Sequence, residues 1–325
     1  MKSKITGSKF LVTGGAGFVG SYVVEKLLQQ NPGRIFIVDN LIRGSYENMK
    51  SFIKNPLVEF IRDDIRNYAL MDELIKQCDY IFHLAALRIT RCADNPSEAF
   101  PVMAEATFRL IESAKNHGIK KIIYSSSASV YGLAKTFPTP ETESPYDNKT
   151  LYGAAKLFGE QMLRSYKDMY GLNYVALRYF NIYGSRMDTE GKYTEVMIKW
   201  LDCIRDKRNP LIFGDGLTTM DFIYVEDIAN ANILALESDV TDEVFNIGCR
   251  KETSLKELLN ILLEVNNSDL IPEYREERAI NAVSRRLADI SKAEKYLGFT
   301  PTVDLEKGLK KLSEWYFSKE YSIIK

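Results

Sequence analysis

A phenol placed four residues ahead of an ammonium is the spacing in this chain that most directly suggests chemistry. Tyr-x-x-x-Lys occurs several times, among them at Tyr46/Lys50, Tyr131/Lys135, Tyr152/Lys156 and Tyr321/Lys325. With 19 tyrosines in the chain the spacing alone selects nothing, so its surroundings must decide. On a helix, residues i and i+4 share a face one turn apart. Only Tyr152/Lys156 both opens a long helical pattern and follows a strand that ends in Ser125-Ser126-Ser127. A free phenol titrates near pH ~10 and is a poor base at neutral pH. A neighbouring ammonium favours the phenolate and brings that value down. Tyr152 is then placed to take a hydroxyl proton while hydride leaves the same carbon. Ser127 would hold the reacting oxygen, and Lys156 would support the phenolate.

Such a reaction needs a hydride acceptor, and the first loop supplies a place for one. It reads Thr13-Gly14-Gly15-Ala16-Gly17-Phe18-Val19-Gly20. The chain must turn sharply there, approach a pyrophosphate closely and let a helix pack on a strand, and glycine permits all three. The N–H groups that open the helix at Phe18 and Val19 would face the phosphates. The loop follows a strand, opens a helix, and is followed some twenty residues later by an acid, Asp39, at the end of the next strand. Asp39 should accept from the adenine-ribose hydroxyls and repel a 2′-phosphate, which favours NAD over NADP. Arg43 nearby keeps NADP as the alternative. Asp64-Ile65, past the third strand, is placed to touch adenine or to be an ordinary loop pair. Lys156 would also orient the nicotinamide ribose.

Elements that hold these residues follow from hydrophobic spacing. Lys9–Thr13, Arg34–Val38, Leu57–Ile61, Tyr80–Leu84, Lys121–Ser125 and Tyr174–Arg178 read as strands. Phe18–Gln30, about 96–117 and Leu151–Tyr170 read as helices. Apolar strands alternating with helices imply a parallel sheet covered on both faces, and right-handed crossovers make it doubly wound. The fold class expected is α/β, a Rossmann-type sheet with a smaller mixed C-terminal lobe. Residues 1–180 would form the dinucleotide-binding domain, joined by about 225–247; residues 181–224 and 248–325 would form the substrate lobe. The later pattern mixes short strands (Leu211–Phe213, Phe222–Val225, Glu243–Ile247) with helices (Glu195–Arg205, Val225–Leu236, Ser254–Val265, Leu305–Trp315).

Composition narrows the rest. A net charge of −1 over 325 residues gives no electrostatic case for nucleic acid or an anionic membrane. No apolar run is long enough to span a bilayer, and no secretory leader is legible. Four separated cysteines and two histidines argue against a disulfide scaffold and a metal site, and a reducing cytoplasm is expected.

Taken in order, the motifs resemble the extended short-chain dehydrogenase/reductase family, within it the nucleotide-sugar epimerases and dehydratases. The resemblance rests on Thr13–Gly20, Asp39-Asn40, Asp64-Ile65, His83-Leu84-Ala85-Ala86, Ser125–Gly132, Tyr152–Lys156, Arg178–Asn181 with Tyr183-Gly184, Gly214-Asp215-Gly216 and Asp221–Asp227. It implies that Leu84, Ala85 and Ala86 line the cofactor trough, that Tyr179 packs near the nicotinamide, and that Asn181 contacts the substrate diphosphate. Residues 214–227 would hold the nucleotide end. Helices 96–117 and 151–170 would form a homodimer interface, and precursor supply for surface polysaccharide would be the setting. Dehydratases of the family carry an Asp-Glu pair before Val-Tyr-Gly; this chain has Ala128-Ser129, as the 4-epimerases do. A nucleotide-sugar 4-epimerase is therefore expected, with UDP-sugars among its candidate substrates and a 4-oxidoreductase, dehydratase or decarboxylase, or a silent NAD-binding sensor, as alternatives. Two positions depart from the family. Met103 replaces an Asn, and Met220 replaces an Arg that grips the diphosphate. Since a thioether cannot neutralise phosphate, Arg186, Arg278, Arg285 and Arg286 become candidates, with Arg186 and Arg286 preferred.

Overall fold

The computed structural model describes residues 3–189, 195–276 and 283–318. The first elements are β1 (Lys9–Thr13), α1 (Phe18–Leu28), β2 (Arg34–Val38), β3 (Val58–Ile61), α2 (Tyr68–Ile75) and β4 (Tyr80–His83). Next come α3 (Ile89–Asp94), α4 (Pro96–Phe100), a π-helical turn (Pro101–Glu105), α5 (Ala106–Asn116), β5 (Lys121–Ser127), α6 (Leu151–Tyr170) and β6 (Tyr174–Tyr179). The remainder comprises β7 (Asn181–Tyr183), α7 (Val196–Arg205), β8 (Leu211–Phe213), β9 (Thr219–Tyr224), α8 (Val225–Glu237), β10 (Glu243–Ile247), β11 (Glu252–Ser254), α9 (Leu255–Val265), β12 (Glu273–Arg275), α10 (Ser291–Leu297) and α11 (Leu305–Phe317).

Seven parallel strands form the main sheet in the order β10-β6-β5-β4-β1-β2-β3. Its strands are apolar on both faces because helices cover both. In β1, Phe10 and Val12 belong to a core shared with α1 and α8, while Leu11 belongs to a core shared with α2, α5 and α6. β2 repeats the alternation with Ile35 and Ile37 on the first side and Phe36 and Val38 on the second. The strand order reverses between β1 and β4, and a crevice opens there beyond the strands' carboxyl ends. Gly14, Asp39, Leu84 and Ser127 stand at or just past the ends of four strands on that edge. Smaller sheets, β11-β9-β7 and β12-β8, lie outside it.

The helix expected over 96–117 runs from Pro96 to Asn116, with one π turn set into it. Pro101 has no N–H to give and its ring crowds the turn before it, and the backbone opens into the π turn at Pro101–Glu105. The strand expected from Phe222 begins at Thr219, where pairing with β11 extends it. Helix α2, with Asn67 as its side-chain cap, α3, α10 and the short strands β7, β11 and β12 were not anticipated. Each is too brief for periodicity to register. The four cysteines are free thiols. Among the described residues no helix is long and apolar enough to cross a membrane, and no three His, Cys, Asp or Glu side chains converge as metal ligands would.

Candidate active site

The crevice is built first from backbone. Gly14 adopts φ +72°, and a Cβ there would stand 2.9 Å from the Ala85 nitrogen. A Cβ on Gly20 would overlap the Gly14 carbonyl oxygen. Gly17 caps α1 without a side chain, so the N–H groups of the first turn, from Phe18 onward, have no side-chain partner. Asp39 is buried and accepts from the Ala16 N–H at 3.1 Å and the Leu41 N–H at 2.8 Å. Burial raises its pKa, and those two bonds oppose the rise. A narrow glycine turn, an open helix N-terminus and a fixed carboxylate fit a dinucleotide pyrophosphate and its ribose.

Further along the rim, Asn40 donates to Asp64 at 2.8 Å, and Arg66 grips Asp64 through Nε and Nη2 at 2.8 and 2.9 Å. The Arg66 hydrogen bond holds Asp64 down to about 2. Asp64 thus ties together the loops after β2 and β3, and Ile65 is buried against α2 and α5 residues.

The crevice floor is a single hydrogen-bonded chain. The Leu84 and Ala85 N–H groups donate to Thr13 Oγ1 at 3.2 and 3.3 Å, so the Thr13 hydroxyl proton points to His83 Nδ1, 2.8 Å away. Thr107 donates to the Met103 carbonyl at 2.8 Å and so must accept from His83 Nε2 at 3.1 Å. These directions fix the Nε2–H tautomer. Burial pushes His83 down to about 3, so it stays neutral. Met103, at the position the family gives to Asn, accepts the Leu87 N–H on its sulfur at 3.1 Å. It does so from the π turn, a common feature beside functional sites. The thioether thereby anchors the backbone just past Ala85-Ala86.

Above this floor the Ser127 hydroxyl faces the Tyr152 phenol and favours its phenolate. Ser127 Oγ also accepts the Ser129 N–H at 3.1 Å, which fixes its rotamer. Thr150 caps α6 by accepting the Gly153 N–H, so Tyr152 enters on the first turn. Lys156 is 2 % exposed and donates to the Ser125 carbonyl at 2.5 Å. Its ammonium lies 5.8 Å from the Tyr152 ring centre and 5.1 Å from that of Tyr124. Burial brings Lys156 down to about 8 and raises Tyr152, while Ser127, Arg43 and Arg286 pull the phenol back. Ser127, Tyr152 and Lys156 therefore converge, and their arrangement can accept, hold and return one proton.

A buried polar network backs this trio. Arg178 on β6 binds Glu160 of α6 through Nε at 2.9 Å and Nη2 at 2.6 Å, and Ser126 donates to the same carboxylate. Arg178 Nη1 donates to the Tyr131 hydroxyl at 2.9 Å, which donates to Asn246 of β10 at 2.6 Å. Glu160 is one turn beyond Lys156, and Ser126 adjoins Ser127.

The expected ligand residues part ways. Asn181 donates its amide to the Asp221 carbonyl at 3.2 Å. Tyr179 is buried, with its hydroxyl on Asn232 at 3.0 Å, so its polar end faces the core. Arg186 binds Glu25 at 2.7 Å and Ser21 at 3.1 Å and lies over Tyr22. That places it as a clamp between its loop and α1, and its contacts do not support the diphosphate role expected of it. Arg285 is likewise engaged, by Glu252. Arg278 lies outside the described residues. Of the three that are described, Arg286 alone has its charge on the Tyr152 phenol. One feature escaped sequence reasoning: Arg43 and Arg88 share the Asp188 carboxylate, at 3.7 and 3.3 Å. Arg88 follows the Ala85-Ala86 trough directly, and its position after that motif was the signal available.

Comparison with known proteins agrees with this geometry. The model of the NAD dependent epimerase/dehydratase family matches residues 10–248. A putative UDP-glucose 4-epimerase of Methanocaldococcus jannaschii is 36% identical, over 94% of this chain and 97% of its own. The UDP-glucose 4-epimerase structure from Thermotoga maritima with UDP-glucose is 36% identical with TM-score 0.88, covering 95% of this chain and 98% of that one. A UDP-N-acetylglucosamine 4-epimerase from Methanobrevibacter ruminantium, solved with UDP-N-acetylmuramic acid, is 36% identical with TM-score 0.91, covering 97% and 99%. A glycine cradle, a buried acid just past β2, a serine–tyrosine–lysine trio and similarity across nearly the whole length all lead to one conclusion: the chain belongs to the NAD-dependent epimerase/dehydratase family and takes NAD as its cofactor.

Proposed function

We propose that this enzyme inverts C4 of a UDP-linked sugar. The observation that carries the reading is the composition of the site around the Tyr152 phenol. Ser127, Lys156, Arg43 and Arg286 influence or contact it, and the two positions before Val130-Tyr131-Gly132 are Ala128 and Ser129. Neither carries the carboxyl group that eliminating water would require. What remains is a base that takes one proton and gives it back.

Bound NAD supplies reversible hydride acceptance at C4. Gly14, Gly17, Phe18, Val19 and Gly20 would hold its pyrophosphate, with Arg43 and Arg88 above. Asp39 would take the adenine ribose, Asn40, Asp64 and Ile65 would border adenine, and Leu84, Ala85, Ala86 and Tyr179 would line the trough. Ser127 positions the C4 oxygen, Tyr152 removes and restores its proton, and the Lys156 ammonium stabilises the phenolate between the two transfers. Asn181 and Arg286 would meet the substrate from residues 181–224 and 248–325, which serve as the substrate lobe beside the dinucleotide domain. Four large apolar side chains on α4 and α6, Phe100, Leu151, Phe158 and Met169, are exposed, and a second copy of the chain is their proposed cover, in a reducing cytoplasm that suits the free thiols.

The test is incubation with UDP-, GDP-, dTDP- and CDP-sugars, following sugar stereochemistry by NMR and reduced nicotinamide by absorbance. C4 inversion without net reduced cofactor is expected. A stable keto product or stoichiometric reduced cofactor would overturn the reading.

A further inference from the structure

We propose that Asp188 straps the cofactor into its crevice: its carboxylate joins Arg43 to Arg88 across the end of β1 and slows the release of NAD. The proposal rests on NAD as the cofactor and on no particular sugar.

Sheet order puts the contact where a strap must lie. β1 runs between β4 and β2. Arg43 stands on the loop after β2, and Arg88 on the loop after β4. A contact that joins those loops crosses the carboxyl end of β1, where the glycine turn leads into α1. Asp188 makes that contact through one oxygen. Its Oδ2 lies 3.7 Å from Arg43 Nε and 3.3 Å from Arg88 Nη2. The way out from the N-terminus of α1, where a pyrophosphate is held, therefore passes between the two bridged loops.

Both arginines rise from pinned backbone. Beside Arg43, the Ser45 N–H and the Asn48 amide donate to the Ala16 carbonyl of the glycine turn at 3.1 and 3.0 Å. Beside Arg88, the Leu87 N–H donates to the Met103 sulfur at 3.1 Å, and α3 begins at the next residue. Asp188 arrives from a third direction, on the loop after β7. That loop is moored to α1 just before it. The Tyr22 hydroxyl donates to the Ser185 carbonyl at 3.4 Å, and Arg186, at φ +70°, binds Glu25 at 2.7 Å and Ser21 at 3.1 Å.

Charge suits the same role. Burial first and the Arg88 charge second disfavour the Arg43 cation, and the Asp188 carboxylate opposes both. Two guanidinium groups and one carboxylate keep a net positive charge, so the strap still attracts a pyrophosphate. At 3.3 and 3.7 Å the carboxylate spans the two groups instead of gripping either as Glu25 grips Arg186 at 2.7 Å. Such a contact can open to admit the cofactor and close behind it. A carbon that is oxidised and then reduced in place needs the same cofactor for both transfers, and a slow exit supplies that.

The experiment measures cofactor exchange in the full chain with no sugar present. Protein loaded with radiolabelled NAD is chased with unlabelled NAD, and retained label is followed by rapid desalting. Asp188→Asn should release NAD at least about tenfold faster than wild type. Asp188→Glu, which keeps the charge, should stay within a few-fold of wild type. Added salt should speed release from wild type more than from Asp188→Asn. Unchanged release in Asp188→Asn overturns the proposal. Slower release overturns it too, because Asp188 would then compete with the pyrophosphate for the arginines. Equal acceleration in Asp188→Asn and Asp188→Glu also overturns it, by assigning the effect to the folding of the loop. None of these outcomes bears on C4 inversion, which the stereochemical assay decides separately.

Discussion

Burial and charge pull in opposite directions on Tyr152. Its surroundings raise the phenol pKa first by desolvation, and the Ser127 hydrogen bond and the Arg43 and Arg286 charges oppose this. Without cofactor the phenol outlasts a free tyrosine as pH rises, and it is no base at neutral pH. A cationic nicotinamide ring beside it adds a favourable charge for the phenolate and none for the phenol. NAD binding should therefore lower this titration, whereas reduced cofactor, whose ring is neutral, should not. Tyrosinate absorbance against pH, taken as wild type minus Tyr152→Phe, measures it with each form of the cofactor. An unchanged midpoint with NAD would mean that the ring does not reach the phenol. Lys156, brought down to about 8, loses its proton as pH rises through that value, and its support of the phenolate goes with it.

Helix α6 and strands β5, β6 and β10 are joined by side chains rather than by backbone alone. The Arg178–Glu160 pair is almost fully buried, at 8% and 2% side-chain exposure, with Ser126 and Tyr131 completing its hydrogen bonds. Replacing one member of such a pair leaves the other charge uncompensated in the interior, at a cost of about 3–5 kcal/mol. Glu160→Gln should lower the unfolding free energy by that amount in urea titration, while an exposed variant such as Lys135→Gln should leave it little changed. If Glu160→Gln costs no more than the surface variant, the network is not what holds α6 against the sheet. The π turn works at the same scale: it opens at Pro101 within the helical run, and Met103 from that turn reaches the Leu87 N–H.

Across the whole molecule, Asp221 on β9 gathers two distant segments to its own. Its carboxylate accepts the N–H groups of Cys249 at 2.7 Å, Arg250 at 3.0 Å and Ala288 at 3.1 Å. Burial outweighs these bonds and raises Asp221 to about 6 from 3.8. A folded pKa above the unfolded one means that the folded state binds the extra proton. This group's stabilising contribution is therefore full below about pH 4, declines as pH rises towards 6, and is level beyond. Melting temperature against pH should show that decline in wild type and lack it in Asp221→Asn; parallel curves would refute the assignment. Assembly is testable at this scale too. Sedimentation should give a dimer, and Phe158→Glu, at a position 39% exposed on α6, should give a monomer with melting temperature little changed.

Much of the catalytic centre was legible in the residues because its signals are local. A glycine turn between strand and helix, an acid one strand later, and a phenol and an ammonium one helical turn apart are short-range patterns set by backbone geometry. The parallel sheet was legible for the same reason, since strands covered on both faces must be apolar throughout. Long side chains were not legible, because a guanidinium can reach several directions from one backbone position. Only packing sent Arg186 to Glu25, Arg285 to Glu252 and Arg286 towards Tyr152. Only packing showed that Met103 sulfur can accept the Leu87 N–H. Chain order placed these residues near the crevice; which charge faces the substrate was decided by contacts between segments far apart in sequence, and no local spacing records those.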